Sequence, residues 1–113
     1  MNFSFNHRIT NDDDDYTEVH SDLTFSSEEL SVVYTINNIE SLQRDVAIFF
    51  AKLKKGETCS LDCAQISNSS GYISYDNQRL KFYICCGEAR NECKFSVLLS
   101  SKDIDMLERA LTI

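Results

Sequence analysis

Four consecutive carboxylates, Asp12, Asp13, Asp14 and Asp15, followed by Tyr16, Glu18, Asp22, Glu28 and Glu29, form the densest chemical feature of this 113-residue chain. Adjacent carboxylates repel one another and hold water, so such a run serves solubility. It also suits a Lys and Arg cluster on another protein, or stands in for nucleic-acid phosphates, with Tyr16 and His20 adding contact area. Charge complementarity of that kind speeds association and selects partners. Oxygen ligands fit calcium or magnesium. The calcium-loop pattern, however, needs alternate acidic positions, a Gly at the sharp turn and a distal Glu in register, and this stretch has no Gly. No metal is expected there.

The thiols are the next candidates. Cys59, Cys63, Cys85, Cys86 and Cys93 are odd in number, and the adjacent pair Cys85 and Cys86 cannot bridge to each other without severe strain, so reduced thiols are expected. With His7 and His20 a zinc site is arithmetically available, but structural zinc uses two compact ligand pairs that this spacing lacks. Cys86 and Cys93 share strand parity with Phe82 and Phe95, which predicts small buried hydrophobes. Cys85 faces the other side and is the place for a partly exposed thiol. A cysteine nucleophile needs a base, and nothing along the chain brings either histidine to a cysteine. There is no G-x-S-x-G elbow, P-loop, dinucleotide fingerprint or H-E-x-x-H, and three glycines leave little for a phosphate cradle. No catalytic residue and no cofactor are expected. An enzyme or redox protein would have to work through Cys85 and Cys86.

Tyr72, Tyr75 and Tyr83, with Phe82 beside them and Arg79, Lys81 and Lys94 nearby, make an aromatic group of the kind that stacks bases on an open sheet. A net charge of -7 and a pI near 4.7 count against direct nucleic-acid binding, which needs a basic face. Core or interface positions fit these rings better.

The elements that position these residues follow from periodicity. Phe3, Phe5 and Ile9 alternate, then Val19, Leu23 and Phe25, then Leu30, Val32, Tyr34 and Ile36, predicting an antiparallel meander of three strands. Ile39, Leu42, Val46, Phe49, Phe50 and Leu53 recur on a helical stripe, so a helix is expected over 39–54, capped by Asn37 with Glu40 and ended at Gly56. Strands are predicted near 59–66, 71–75, 79–86 and 93–99, with a tight turn at Asp76 and Asn77 and a hairpin matching Leu80, Phe82, Ile84 and Cys86 to Cys93, Phe95, Val97 and Leu99. Ser100 with Asp103 opens a last helix carrying Ile104, Leu107 and Leu111. The expected fold is α+β: two antiparallel meanders with two amphipathic helices packed on them, ordered strands, helix, strands, helix.

One domain over residues 1–113 is expected from the length, and no apolar run approaches the roughly 20 residues of a membrane span. Met1 to Asp15 lacks an apolar stretch and is the reverse of a secretory signal, which points to the cytoplasm. Residues 1–50 hold 10 acidic and 2 basic side chains, residues 51–113 hold 8 and 9. In size, acidity and absence of catalytic groups the chain resembles, as a class, phage-encoded anti-CRISPR and other anti-defence inhibitors and the immunity proteins that neutralise bacterial toxins. That resemblance rests on no motif and brings no residue roles with it. It implies a non-catalytic inhibitor. The charge distribution, read from the residues themselves, sets Asp12, Asp13, Asp14, Asp15, Tyr16, Glu18, Asp22, Glu28 and Glu29 against a basic surface of a larger protein, for which a nucleic-acid-binding groove is one candidate. A self-associating structural protein, including a homodimer, is the alternative from another class.

Overall fold

Alternation sets the strands and the 3.6-residue period sets the helices. The computed structural model describes residues 2–11, 17–63, 69–86 and 91–113. Its elements are β1 (Asn2–Asn11), β2 (Thr17–Ser26), β3 (Ser31–Ile36), a 3₁₀ turn (Ile39–Leu42), α1 (Gln43–Lys54), β4 (Cys59–Asp62), β5 (Ser69–Asp76), β6 (Arg79–Cys86), β7 (Asn91–Val97) and α2 (Ser101–Leu111). Two antiparallel sheets result, one ordered β1-β2-β3 and the other β4-β5-β6-β7. The fold is α+β and mostly sheet, in the expected order of strands, helix, strands, helix. The chain divides into two compact units, Met1–Gln43 with Ser101–Ile113, and Arg44–Ser100. Among the described residues, no helix is long and apolar enough to cross a membrane.

In the first unit β1 and β2 pair from Asn2 opposite Ser26 to Asn11 opposite Thr17, and β3 joins β2 with Tyr34 opposite Leu23. Phe3, Leu23, Phe25, Tyr34 and Ile36 are buried, and the rings of Phe3 and Phe25 lie 5.0 Å apart. α2 packs on β1 and β2 and buries Leu107, Ala110 and Leu111 along one stripe. Two apolar residues depart from expectation. Ile9 is 66% exposed, and Leu30 precedes β3 and is 65% exposed. Alternation assigns a residue to a face, but whether that end of the face is covered depends on where the helix lies.

The entry to the central helix also differs. The cap is Asn38, not Asn37, held in the left-handed region at φ 53° and ψ 45° without a side-chain cap bond, and residues 39–42 form the tighter turn. Glu40 does not reach back to a helix amide: its Oε2 accepts the Val19 N–H at 3.1 Å. β3 ends at Ile36 opposite Ser21, so Val19 has no strand partner on that side, and the Glu40 carboxylate fills the vacant position.

In the second unit α1 buries Val46, Phe49, Phe50 and Leu53, with Phe49 and Phe50 edge to face at 5.1 Å. Its end is as expected. Gly56 sits at φ 76°, its N–H donates to Leu53 C=O at 2.9 Å, and the Glu57 N–H donates to Lys52 C=O at 3.1 Å. Those two bonds are the Schellman pair that satisfies the last carbonyls of a helix.

β6 and β7 pair as predicted, Leu80 opposite Val97, Phe82 opposite Phe95 and Ile84 opposite Cys93, with the Phe82 and Phe95 rings stacked at 5.0 Å. Burial fades along this ladder: Leu80, Phe82 and Val97 are buried, Ile84 is half-buried and Cys93 is exposed. Cys93 is therefore not the buried hydrophobe its parity predicted, because the covered part of the face ends before it. β4 stops at Asp62, and the expected Ile66 lies outside the described residues. The β5–β6 turn is Asn77-Gln78, one residue later than expected. Both have positive φ, 50° and 66°, as a two-residue type I′ hairpin requires.

Candidate functional site

The acidic residues separate along the first unit. Glu18 is the second residue of β2, and its carboxylate lies 3.7 Å from His20 Nε2. Asp22 is already engaged: Arg8 grips both its oxygens from β1, with one contact at 3.1 Å, and Thr35 Oγ1 donates to it from β3 at 2.8 Å. The Arg8 hydrogen bond, helped by Thr35, holds the Asp22 carboxyl below its ordinary value against the opposing effect of burial. Glu28 and Glu29 are exposed in the turn between β2 and β3. From Glu18 to the end of β2 is eight residues, about 26 Å at strand rise. Screening acts within about 8 Å at physiological salt, so Glu28 and Glu29 act independently of Glu18. Asp12, Asp13, Asp14, Asp15 and Tyr16 lie outside the described residues, between the paired Asn11 and Thr17.

Both histidines are engaged within this unit. His7 Nε2 lies 2.7 Å from the Ala110 carbonyl oxygen. His20 is buried, its Nδ1 accepting the Asn38 N–H at 3.3 Å and its Nε2 facing Thr10 Oγ1 at 2.9 Å. An Nδ1 that accepts a backbone N–H carries no proton, so the ring is the Nε2–H tautomer and is a structural bridge.

The thiols lie in the second unit. Cys59 and Cys63 are buried, donating to Phe49 C=O at 3.5 Å and Leu61 C=O at 3.6 Å. Burial raises both, Cys63 to about 12, which removes the thiolate that nucleophilic chemistry needs. Cys85 is half-buried, and the four described cysteines are free; nothing is described of the Cys86 side chain. Among the described residues, no group of three or more His, Cys, Asp and Glu side chains is placed to hold a metal ion.

The aromatic group splits by parity. Tyr72 and Tyr83 stack at 4.8 Å on one face of the four-stranded sheet, with Lys94 Nζ 5.8 Å from the Tyr83 ring centre and Glu92 accepting from the Tyr83 hydroxyl at 3.3 Å. Partial burial, with Cys85 and Glu92 nearby, pushes the Tyr83 phenol up to about 12. Tyr75 belongs to the opposite face, since it alternates with Tyr72 along β5. An open cleft of about 540 Å³ also lies in this unit, between Asp45, Ile48 and Lys52 of α1 and Thr58, Ser60 and Leu61 at β4. Periodicity did not announce it. Ile48 off the buried stripe, 47% exposed, was the available signal.

The structural division sharpens the charge polarity read from the halves of the sequence. The first unit holds 12 acidic and 3 basic side chains, a balance of -9, and the second holds 6 and 8, a balance of +2. In comparison with known proteins, the chain matches no family model, no curated protein and no solved structure.

Proposed function

We propose that this protein is a non-catalytic, inhibitor-type binding protein whose acidic first unit engages a basic surface of a larger protein. The observation that carries this reading is the segregation of charge between the two units, one at -9 and the other at +2. A surface of that sign competes with phosphates for Lys and Arg, so a nucleic-acid-binding groove is the partner surface it suits best, in the manner of an anti-defence or immunity protein. The contact residues are Asp12, Asp13, Asp14, Asp15, Tyr16 and Glu18. Asp22 is occupied by Arg8, and Glu28 and Glu29 lie at the far end of β2, so these three are secondary. No cofactor enters the reading, and its place is the cytoplasm, where free thiols persist.

The test is recovery of binding partners from the native host with wild type and with Asp12, Asp13, Asp14 and Asp15 all changed to Asn, at low and at moderate salt. A basic protein retained by wild type, lost with added salt and lost by the variant supports the proposal. A partner held equally well by the quadruple variant at low salt overturns it.

A further inference from the structure

β7 ends the second sheet, and its outer edge carries backbone groups that no strand of this sheet takes. Which groups these are follows from the ladder phase. Cys63 N–H donates to Gly71 C=O, and alternation carried through the registers of β5, β6 and β7 turns Cys93, Phe95 and Val97 toward β6, leaving Glu92, Lys94 and Ser96 to present N–H and C=O outward. Natural sheets blunt such edges with prolines, bulges or charged side chains, Lys above all. This edge has no Pro and no bulge, its β6–β7 register being unbroken from Cys86–Asn91 to Leu80–Val97. Its charges, Glu92 and Lys94, are of opposite sign, so they repel an edge in the wrong register and attract one in the right register. Glu92, Cys93, Lys94 and Ser96 are all exposed.

We infer that β7 is a self-complementary edge that pairs antiparallel with the β7 of a second copy of this chain, centred on Cys93. Antiparallel pairing about a two-fold axis through Cys93 sets Glu92 opposite the second copy's Lys94, and Lys94 opposite its Glu92. Each is an outward-facing hydrogen-bonded pair, and the symmetry makes the ion pair twice. The charges also select the register. Slipping by two residues one way sets Lys94 against Lys94, and the other way sets Glu92 against Glu92, both repulsive. Glu92 and Lys94 already lie 3.7 Å apart on one face within a single chain, so the paired edges form a four-charge cluster. β7 belongs to the unit whose charges nearly balance, not to the one at -9. In this register the two Cys93 residues make a non-hydrogen-bonded pair, with Cα atoms about 4.5 Å apart, within disulfide range.

The experiment is sedimentation equilibrium of the full chain from micromolar to millimolar concentration. The wild-type mass should rise from 12.9 kDa toward twice that value. Glu92→Lys or Lys94→Glu alone should weaken self-association about tenfold, and the double reversal should restore it. The double variant separates lost pairing from lost folding, because it keeps both substitutions. Glutathione disulfide supplies a second readout: it oxidises the two Cys93 thiols to one intermolecular S–S bond and leaves as two glutathione thiols. Cys93→Ser should abolish that covalent dimer while still sedimenting as a dimer. A wild-type chain that stays monomeric at millimolar concentration overturns the inference. So does a double reversal that stays monomeric with wild-type circular dichroism, or a covalent dimer that forms equally well with Cys93→Ser.

Discussion

The Nε2 of His7, on the first strand, lies 2.7 Å from the carbonyl oxygen of Ala110, on the last helix and 103 residues away. A carbonyl only accepts, so the imidazole carries its proton on Nε2. Ala110 lies in the final turn of α2, where helix carbonyls lack intrahelical partners. Gln43 completes the same end, donating to Leu111 C=O at 2.9 Å and accepting the Ile113 N–H at 3.1 Å. His7→Ala should cost about 1 kcal/mol, the net worth of one such hydrogen bond, seen as a lower urea midpoint at unchanged slope. An unchanged midpoint would show that the bond contributes nothing.

The parts of the fold that the sequence made legible are those governed by period alone. The Leu80–Phe82–Ile84 alternation against Phe95 and Val97, the Val46–Phe49–Phe50–Leu53 stripe and the Gly56 terminus are local patterns that tertiary context did not override. The failures depend on what lies beyond the local pattern. Glu40 left its helix for Val19 because β3 is shorter than β2, a fact of pairing length. Cys93 is exposed because the covered part of its face ends before it. At the candidate site, the charge pattern places Asp22 among the partner-facing carboxylates, since nothing local reveals that Arg8 lies opposite His20 and reaches Asp22 from there.

Gln78 occupies the second position of a type I′ turn at φ 66°, a conformation that costs an L-residue with a Cβ about 1 kcal/mol or more and costs Gly nothing. Gln78→Gly should therefore raise stability by about 0.5 to 1 kcal/mol, less what the more flexible unfolded chain gives back. Thermal unfolding would read this as a higher midpoint. A lower one would mean that the turn does not hold this geometry in solution.

Alkylation of the native chain at pH 8 should rank the thiols by exposure and acidity. Cys93 is exposed and should react first. Cys63 is buried, and its value near 12 against an ordinary 9.0 lowers its thiolate fraction about a thousandfold. Peptide mapping after brief iodoacetamide treatment should find Cys93 modified and Cys63 intact. Equal modification of the two would contradict the burial of Cys63.

The pH dependence of stability should contain a contribution from Asp22. Its carboxyl is held below the ordinary 3.8, first by the Arg8 hydrogen bond. A carboxyl whose folded value is depressed binds fewer protons folded than unfolded, so the stabilisation is fully present above the unfolded value. It is lost as pH falls from about 3.8 through the folded value. Arg8 is 48% exposed against 17% for Asp22, so solvent screens the pair and the effect is modest. Asp22→Asn should flatten the acid limb of urea midpoint against pH, with the gap between the two curves narrowing as pH falls below about 3.8. Because Arg8 already neutralises this carboxylate, the same variant should bind a basic partner about as fast as wild type, unlike the Asp12 to Asp15 variant. A steep loss of association rate in Asp22→Asn would show that the partner displaces Arg8, and would return Asp22 to the contact surface.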